Sequence, residues 1–142
     1  MALTVKNTLS VVIPTYNEEG NIELLYNKLR ETIDTLELEE IELIFVDDGS
    51  HDDSLEIIKR IAELDAQVKY ISFSRNFGHQ LALKAGLDHA RFQGVISLDA
   101  DLQHPVELIP KMIEKWQAGV DVVYSKRIDK TLPWFKRTSS KL

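Results

Sequence analysis

The chain has 142 residues, of which 44% are hydrophobic and 28% charged, with a formal net charge of −6 and no cysteine. This size suits one compact α/β domain with a real core, and the lack of cysteine excludes both a disulfide framework and a thiolate metal site. The apolar runs fall far short of the roughly 20 residues that a spanning helix needs, so we expect no transmembrane helix in this chain.

The charge is distributed unevenly along the chain. Residues 1–65 carry 5 Lys/Arg against 16 Asp/Glu, whereas residues 66–142 carry 12 against 7. The acidic first half argues against general nucleic-acid binding, so we expect no nucleic acid among the partners. The basic excess lies mostly in residues 126–142, where Trp134 and Phe135 stand among the cations. That segment is either a solvated basic tail or a surface for phosphate or anionic lipid.

Strand and helix patterns alternate along the chain. Apolar β-branched runs predict five strands, at residues 9–14, 41–47, 68–73, 94–99 and 120–125. Stripes at helical spacing separate them, such as the one formed by Ile22, Leu25, Leu29, Ile33 and Leu36. The third helical segment, "FGHQLALKAGLDHA", is rich in small residues, as expected of a helix packed closely on a sheet. The alternation predicts right-handed crossovers and a mostly parallel sheet.

Helix ends can also be predicted. Asn17 is a candidate cap for the first helix, and Ser50 with Asp53 fits a capping box for the second. Gly119 follows the fourth helix at the position of a helix stop.

Polar side chains follow most of the predicted strands. The strands end in "PTYNEEG", "VDDGS", "SRNFGH", "DADLQH" and "SKR". Ligands of open parallel sheets bind outside the carboxyl ends of the strands. Acidic strand ends alternate with Arg75, Lys126 and Arg127, which suits a metal ion beside an anion.

Asp99 and Asp101 are the candidate metal residues. Two carboxylates one residue apart repel each other unless a positive charge lies between them. Hard oxygen ligands favour Mg²⁺ or Mn²⁺, and Mg²⁺ is typically held by one or two carboxylates plus substrate phosphates. Gln103 and His104 would complete the shell, although His104, before Pro105, is also explained as a residue that shapes the turn.

The other strand ends each allow two interpretations. In "VDDGS", Asp47 and Asp48 either cap a turn or accept hydrogen bonds from a base or ribose. "PTYNEEG" is a plain helix entry or brings Tyr16 against a base. "SRNFGHQ" is an exposed loop with a surface arginine, or it offers Arg75, Asn76, Gly78 and His79 to an anion before a helix N-terminus. The sequence lacks both G-x-G-x-x-G and G-x-x-x-x-G-K-[ST], which argues against a dinucleotide dehydrogenase and a P-loop NTPase.

Four segments together resemble one family. These are "VVIPTYNEEGNI", "IFVDDGSHDDS", "SRNFGHQLALKAGLDHA" and "ISLDADLQHPVELIPKM". They are similar to the inverting family 2 glycosyltransferases of the GT-A fold, and within them to the polyprenyl-phosphate group that contains dolichol-phosphate mannose synthase and bactoprenol glucosyltransferases. The resemblance runs from about Leu9 to Lys136, and "WFKR" looks like the bactoprenol type.

The resemblance implies a Rossmann-like three-layer sandwich that moves a sugar from a nucleotide sugar, expected to be a UDP-sugar, to a polyprenyl phosphate. It implies that Mg²⁺ or Mn²⁺ is the cofactor. It assigns catalysis to Asp99, Asp101 and Arg127, with Gln103 beside the metal. It assigns substrate binding to a further set, namely Pro14, Tyr16, Glu18, Asp48, Arg75, Ala100 and Lys126.

The resemblance also implies how this chain relates to a longer protein. Residues 1–125 are expected to form the nucleotide-sugar-binding core, and residues 126–142 a basic segment that leads into a further C-terminal part. The whole protein is expected at the cytoplasmic face of a membrane. Three alternatives remain: transfer to a polysaccharide or protein-linked glycan, a non-catalytic nucleotide-sugar-binding module, and a receiver-like signalling domain whose last strand ends on Lys126.

Overall fold

The computed structural model describes residues 5–126, which form four strands and four α-helices. In chain order these are β1 (Thr8–Thr15), α1 (Ile22–Ile33), β2 (Glu40–Asp47), α2 (Ser54–Leu64), β3 (Val68–Ser72), α3 (His79–His89), β4 (Gly94–Ser97) and α4 (Ile109–Gln117), the last preceded by a 3-10 turn at Val106–Leu108. The first four predicted strands and all four predicted helices are confirmed.

The strands form one parallel sheet in the order β3-β2-β1-β4. β1 pairs with β2 from Thr8 opposite Glu40 to Thr15 opposite Asp47, and its other edge pairs with the shorter β4. Because all pairs are parallel, the carboxyl ends of β1, β2 and β4 lie at the same edge of the sheet. The mostly parallel sheet predicted from the sequence is confirmed.

Helices cover both faces of the sheet. Leu43 and Phe45 of β2 belong to a large core on one face, where α1, α2 and α4 pack. The alternate residues Ile44 and Val46 belong to a small core on the other face, with Ala82 of α3. Side chains that alternate along a strand point to opposite faces, so the three-layer arrangement is confirmed.

α3 approaches β1 unusually closely. A Cβ atom at Gly86 would lie 2.2 Å from Cγ1 of Val12 and 3.2 Å from Cγ2 of Val46. Only a residue without a side chain fits this contact. The small residues of the third helical segment therefore allow the close packing that the sequence predicted.

The fifth predicted strand, residues 120–125, is wrong. This segment has no strand pairing, and its residues Val122 and Tyr124 are 78% and 80% exposed. It lies along the outer side of β4, where Val123 and Tyr124 line a groove with Trp116. An apolar alternating run becomes a strand only when a neighbouring backbone supplies its hydrogen bonds, and within residues 5–126 none does.

Two helix starts also differ from the sequence predictions. α1 begins five residues after Asn17, with Asn21 at the N-cap, and Asn17 adopts a positive φ of 51°. α2 has Asp53 at the N-cap and no side-chain capping bond. The predicted cap and capping box are therefore wrong. The helix stop is confirmed, since Gly119 has a φ of 110° and its N–H donates to the carbonyl of Trp116.

None of the helices described between residues 5 and 126 is both long enough and apolar enough to span a bilayer.

A buried carboxylate fixes the amino-terminal end of the sheet. Glu42 of β2 is 1% exposed and accepts hydrogen bonds from Ser10 Oγ and Lys69 Nζ, both at 2.8 Å. Arg91 adds its backbone N–H at 2.9 Å and Nε at 3.1 Å. Burial alone would raise the pKa of Glu42, but these hydrogen bonds outweigh it and lower the pKa to about 2. The cluster ties β1, β2, β3 and the segment after α3 together.

We predict that Glu42→Gln lowers the free energy of unfolding by about 2 kcal/mol at neutral pH, because it removes charge-assisted hydrogen bonds from a buried site. The folded-state pKa of about 2 lies below the unfolded value near 4.3. The contribution is therefore complete above about pH 4.3 and is lost as the pH falls toward 2. Urea denaturation of both proteins from pH 7 to pH 2 measures the difference.

The control is Glu40→Gln, a change of the exposed first residue of the same strand, which should alter the unfolding free energy little at any pH. A difference between Glu42→Gln and the wild type that stays constant down to pH 2 would contradict this assignment.

Candidate functional site

A cleft of about 350 Å³ opens where β1, β2 and β4 end. It brings together residues from the loops after these strands and from the start of α3. Its lining consists of Pro14, Thr15, Tyr16, Glu18, Asp48, Asn76, Gly78, His79, Ala82, Asp99, Ala100 and Asp101. Seven of the predicted site residues thus share one cleft, at the edge of the sheet where the sequence placed them.

The β1–α1 and β2–α2 loops hold each other through reciprocal hydrogen bonds. The backbone N–H groups of Asn17 and Glu18 donate to Ser50 Oγ and Ser54 Oγ at 2.9 and 2.8 Å. In return, His51 N–H donates to Asn17 Oδ1 at 2.9 Å. These bonds use the side chains that the sequence assigned to helix caps. Their effect is to fix the loop that carries Tyr16 and Glu18.

Two acidic side chains extend the same contact between the loops. Asp52 accepts from the N–H groups of Glu19 and Ser54, and Glu19 accepts from the N–H of Asp53. Burial would raise the pKa of Asp52, but these hydrogen bonds lower it below its usual value. The carboxylates of "NEEG" and "SHDDS" therefore satisfy backbone donors in loops that make few regular hydrogen bonds.

Asp48 is buried and anchors a third loop. Only 3% of the surface of Asp48 is exposed to solvent. One oxygen accepts from Phe77 N–H at 2.7 Å, and the other accepts from Gly78 N–H at 3.1 Å and Asn76 Nδ2 at 3.2 Å. These bonds hold the loop that leads into α3. A carboxylate has about four acceptor positions, so one is left on Asp48.

The β2–α2 and β3–α3 loops also touch through their backbones. A Cβ atom at Gly49 would lie 2.3 Å from the carbonyl carbon of Arg75, and Gly49 has a φ of 69°. A glycine is required here on both counts. The guanidinium of Arg75 lies 4.2 Å from the centre of the Phe77 ring. Arg75 does not line the cleft.

Asp99 and Asp101 are presented by the turn after β4. The N–H of Asp99 donates to His104 Nδ1 at 3.2 Å, and Asp101 Oδ1 accepts from the N–H of Gln103 at 3.0 Å. Between them Leu102 adopts a positive φ of 63°. This geometry supports the interpretation of His104 as a residue that shapes the turn. Both carboxylates line the cleft, whereas Gln103 is exposed and lies outside it.

The two carboxylates fit a hard divalent cation only in part. Among residues 5–126, no group of three or more His, Cys, Asp or Glu side chains is arranged to hold a metal ion. Two carboxylates with substrate phosphates as further ligands are, however, the usual donor set for Mg²⁺. Asp101 has one oxygen engaged by the turn and one free of hydrogen bonds to the described residues. The donor chemistry fits a metal that binds together with a phosphorylated substrate.

Two of the predicted cations are not part of the described cleft. Lys126 is exposed and is the last residue that the structure describes, and it does not line the cleft. Arg127 lies outside the described residues. The cleft does include His79, whose Nε2 lies 3.6 Å from Asp99 Oδ1. The sequence analysis named His79 in an anion-favouring segment but chose Arg75 as the binding residue.

A second, slightly larger groove of about 380 Å³ lies on the outer side of the sheet. It runs along the free edge of β4, between α4 and residues 121–125, and both apolar and polar residues line it. It contains neither Asp99 nor Asp101. We therefore take the smaller acidic cleft as the candidate site.

The fold and the cleft define an α/β protein whose ligand site lies at the carboxyl ends of parallel strands. The family described as Glycosyl transferase family 2 matches residues 10–142. The chain therefore belongs to glycosyl transferase family 2, and the enzyme class expected from the resemblance is confirmed. This membership argues against the receiver-like alternative.

One relative and two solved structures are informative. The bactoprenol glucosyl transferase of Shigella phage SfX is 44% identical over 143 residues, which cover 94% of this chain and 47% of the relative. The mannosyltransferase PcManGT from Pyrobaculum calidifontis, solved with GDP-Man and Mn²⁺, is similar with a TM-score of 0.64 at 28% identity, covering 78% of this chain and 32% of that one. Residues 1–349 of S. aureus TarS with UDP-GlcNAc give a TM-score of 0.63 at 27% identity, covering 77% and 30%.

These likenesses confirm the predicted GT-A type fold. They also show that the chain spans less than half the length of the relative it matches.

We predict that Asp48→Asn loosens the loop before α3. The new amide presents N–H donors to backbone N–H groups, so at least one hydrogen bond is lost and the remaining charge assistance disappears. Hydrogen exchange followed by NMR should show the amides of Phe77 and Gly78 exchanging about tenfold faster or more, as the loss of one charge-assisted bond implies.

Asp53→Asn serves as the control, because Asp53 lies in a neighbouring loop and its side chain makes no capping bond. Unchanged exchange at Phe77 and Gly78 in Asp48→Asn would refute the anchoring role.

Proposed function

We propose that this chain is the nucleotide-sugar-binding part of an enzyme that transfers a sugar from a UDP-sugar to a polyprenyl phosphate. The proposal rests on the observation that one cleft at the strand ends is lined by Tyr16, Asp48, Asp99 and Asp101. The name of the SfX relative, a bactoprenol glucosyl transferase, supports a lipid-linked acceptor. The UDP-GlcNAc complex of TarS supports a uridine nucleotide.

The base end of the donor belongs at Tyr16 and Asp48. Tyr16 is 42% exposed, so its ring is available for stacking on a base while the reciprocal loop bonds hold its backbone. The remaining acceptor position of Asp48 suits an N–H group such as that of uracil. Pro14 and Glu18 complete this side of the cleft. Glu18 itself is oriented by Asn21 Nδ2, which donates to its carboxylate at 2.7 Å.

The diphosphate end belongs at Asp99, Ala100 and Asp101. Ala100, which lies between the two aspartates in the sequence, is 2% exposed, packs with the large core and lines the cleft. Asp99 and Asp101 would hold Mg²⁺ or Mn²⁺, with Gln103 near them. When bound, the metal neutralises the charge that develops on the leaving diphosphate. Support for such a cofactor comes from the Mn²⁺ in the PcManGT complex.

The acceptor end requires cations more than a general base. A polyprenyl phosphate is already ionised, so its oxygen needs little deprotonation before it attacks the anomeric carbon. Direct attack from the face opposite the leaving group inverts that carbon, through an oxocarbenium-like transition state similar to that of glycoside hydrolysis. Arg127 and Lys126 are proposed to bind the acceptor phosphate, and Arg75 is a further candidate on the outside of the cleft.

The whole protein is proposed to work at the cytoplasmic face of a membrane. Residues 1–125 form its nucleotide-sugar-binding core in this proposal, and residues 126–142 lead toward the acceptor. The cations of residues 126–142, together with Trp134 and Phe135, suit an anionic lipid surface.

The donor half of the proposal predicts that UDP binds this chain with Mn²⁺ or Mg²⁺ and that Asp101→Ala loses the dependence on metal. Titration calorimetry with UDP, with each metal and with EDTA, measures both effects. Asp121→Ala, an exposed aspartate outside the cleft, is the matched control and should bind as the wild type does. If UDP does not bind with either metal, the proposed donor site is wrong.

The acceptor half predicts a preference for lipid phosphate in the longer protein that contains this chain. Radiolabelled sugar should move from UDP-sugar to polyprenyl phosphate in detergent, and Arg127→Ala should slow that transfer about tenfold or more, since it removes a charge-assisted contact to phosphate. Transfer to a soluble glycan acceptor alone would favour the alternative of a polysaccharide or protein-linked glycan. Binding without any turnover would favour a non-catalytic module.

A further inference from the structure

His79 is the first residue of α3 and stands at the diphosphate end of the cleft. Its side chain is 58% exposed, and Nε2 lies 3.6 Å from Asp99 Oδ1. That separation is too long for a hydrogen bond, so Nε2 is not committed to Asp99. A histidine side chain can carry a hydrogen on Nε2 and donate it to an acceptor. The cleft thus contains a group that can donate a hydrogen bond to a ligand.

The negative charges of the cleft lining make a hydrogen-bond donor important for binding a phosphorylated ligand. The lining includes four carboxylates, from Glu18, Asp48, Asp99 and Asp101, and among the described residues that form it none is Lys or Arg. A nucleoside diphosphate that enters here meets like charges, which opposes its binding unless positive groups lie close to its phosphates. A divalent metal at Asp99 and Asp101 would supply one such positive group.

The first turn of α3 supplies further hydrogen-bond donors, its backbone N–H groups, next to His79. Gly78 is the N-cap, with a φ of 104°, and its N–H is taken by Asp48. The first intrahelical bond runs from Ala82 N–H to the carbonyl of Gly78. The N–H groups of the first turn, at His79, Gln80 and Leu81, therefore have no partner within the helix. These N–H groups favour the binding of an anion next to the His79 side chain.

We infer that His79 donates a hydrogen bond from Nε2 to the diphosphate of the bound nucleotide sugar, beside the Asp99 carboxylate, and so selects a diphosphate over a nucleoside. This inference rests on the proposed function and adds one contact residue to it. It gives His79 the anion-binding role that the sequence analysis gave to Arg75, whose guanidinium stacks on Phe77 outside the cleft.

The test compares uridine, UMP and UDP by titration calorimetry at saturating Mn²⁺. His79→Ala should bind UDP about tenfold more weakly than the wild type, as the loss of a hydrogen bond to a charged group implies. Its affinity for uridine should not change, since the nucleoside has no phosphate. His79→Gln keeps a side-chain N–H donor and should lose less affinity for UDP than His79→Ala.

His89→Ala is the matched control. His89 is the last residue of the same helix, and its Nδ1 donates to the carbonyl of Ala85. This variant should bind all three ligands as the wild type does.

The outcomes separate this inference from the proposed function. If the wild type binds UDP with Mn²⁺ and His79→Ala binds it equally well, the role of His79 is wrong and the donor site stands. An equal loss of affinity for uridine and UDP also overturns the role of His79, because it indicates a distorted cleft. If the wild type binds no UDP with either metal, the proposed function fails and the inference fails with it.

Discussion

The candidate site depends on backbone donors that satisfy buried or half-buried carboxylates in the loops. Asp48 accepts three hydrogen bonds from the loop before α3. The β1–α1 and β2–α2 loops are joined because backbone N–H groups of each loop donate to side chains of the other, namely Asn17, Ser50 and Ser54. Loops that run past the end of a sheet have backbone groups without strand partners, and leaving these unpaired is costly. The acidic side chains supply the missing acceptors and so fix the walls of the cleft.

This use of carboxylates divides the acidic residues of the cleft into two groups. Asp48 and Glu18 are already engaged, with Asp48 bonded to the loop and Glu18 to Asn21. Asp99 has no hydrogen bond to its carboxylate among the described residues, and Asp101 has one. The free charge of the cleft is thus concentrated at the end of β4. A cation bound with an anionic substrate is attracted to that end, while the opposite end offers an aromatic ring and one acceptor position.

The sequence predicted the elements well where local pattern and tertiary packing agree. The four strands of the sheet and the stripe from Ile22 to Ile33 follow directly from hydrophobic periodicity. It failed where a segment depends on a partner elsewhere. Residues 120–125 alternate like a strand but have no paired neighbour within residues 5–126, and Ser50 and Asn17 bond across loops rather than along their own helices. The proximity of His79 to Asp99 could not be predicted for a similar reason, because their side chains come within 3.6 Å only when α3 and the turn after β4 pack on the same sheet.

The position of His79 also depends on how closely α3 packs against the sheet. Gly86 lets α3 lie against Val12 and Val46, at a distance that any side chain would prevent. Val12 belongs to β1, whose neighbour β4 ends in the turn with Asp99. The helix and the turn are therefore both positioned against the same central strand, and core packing acts together with the loop hydrogen bonds to set their separation. A larger residue at Gly86 would push α3 away from β1 and carry His79 with it, so that a substitution about two helical turns from the cleft would widen the gap between His79 and Asp99.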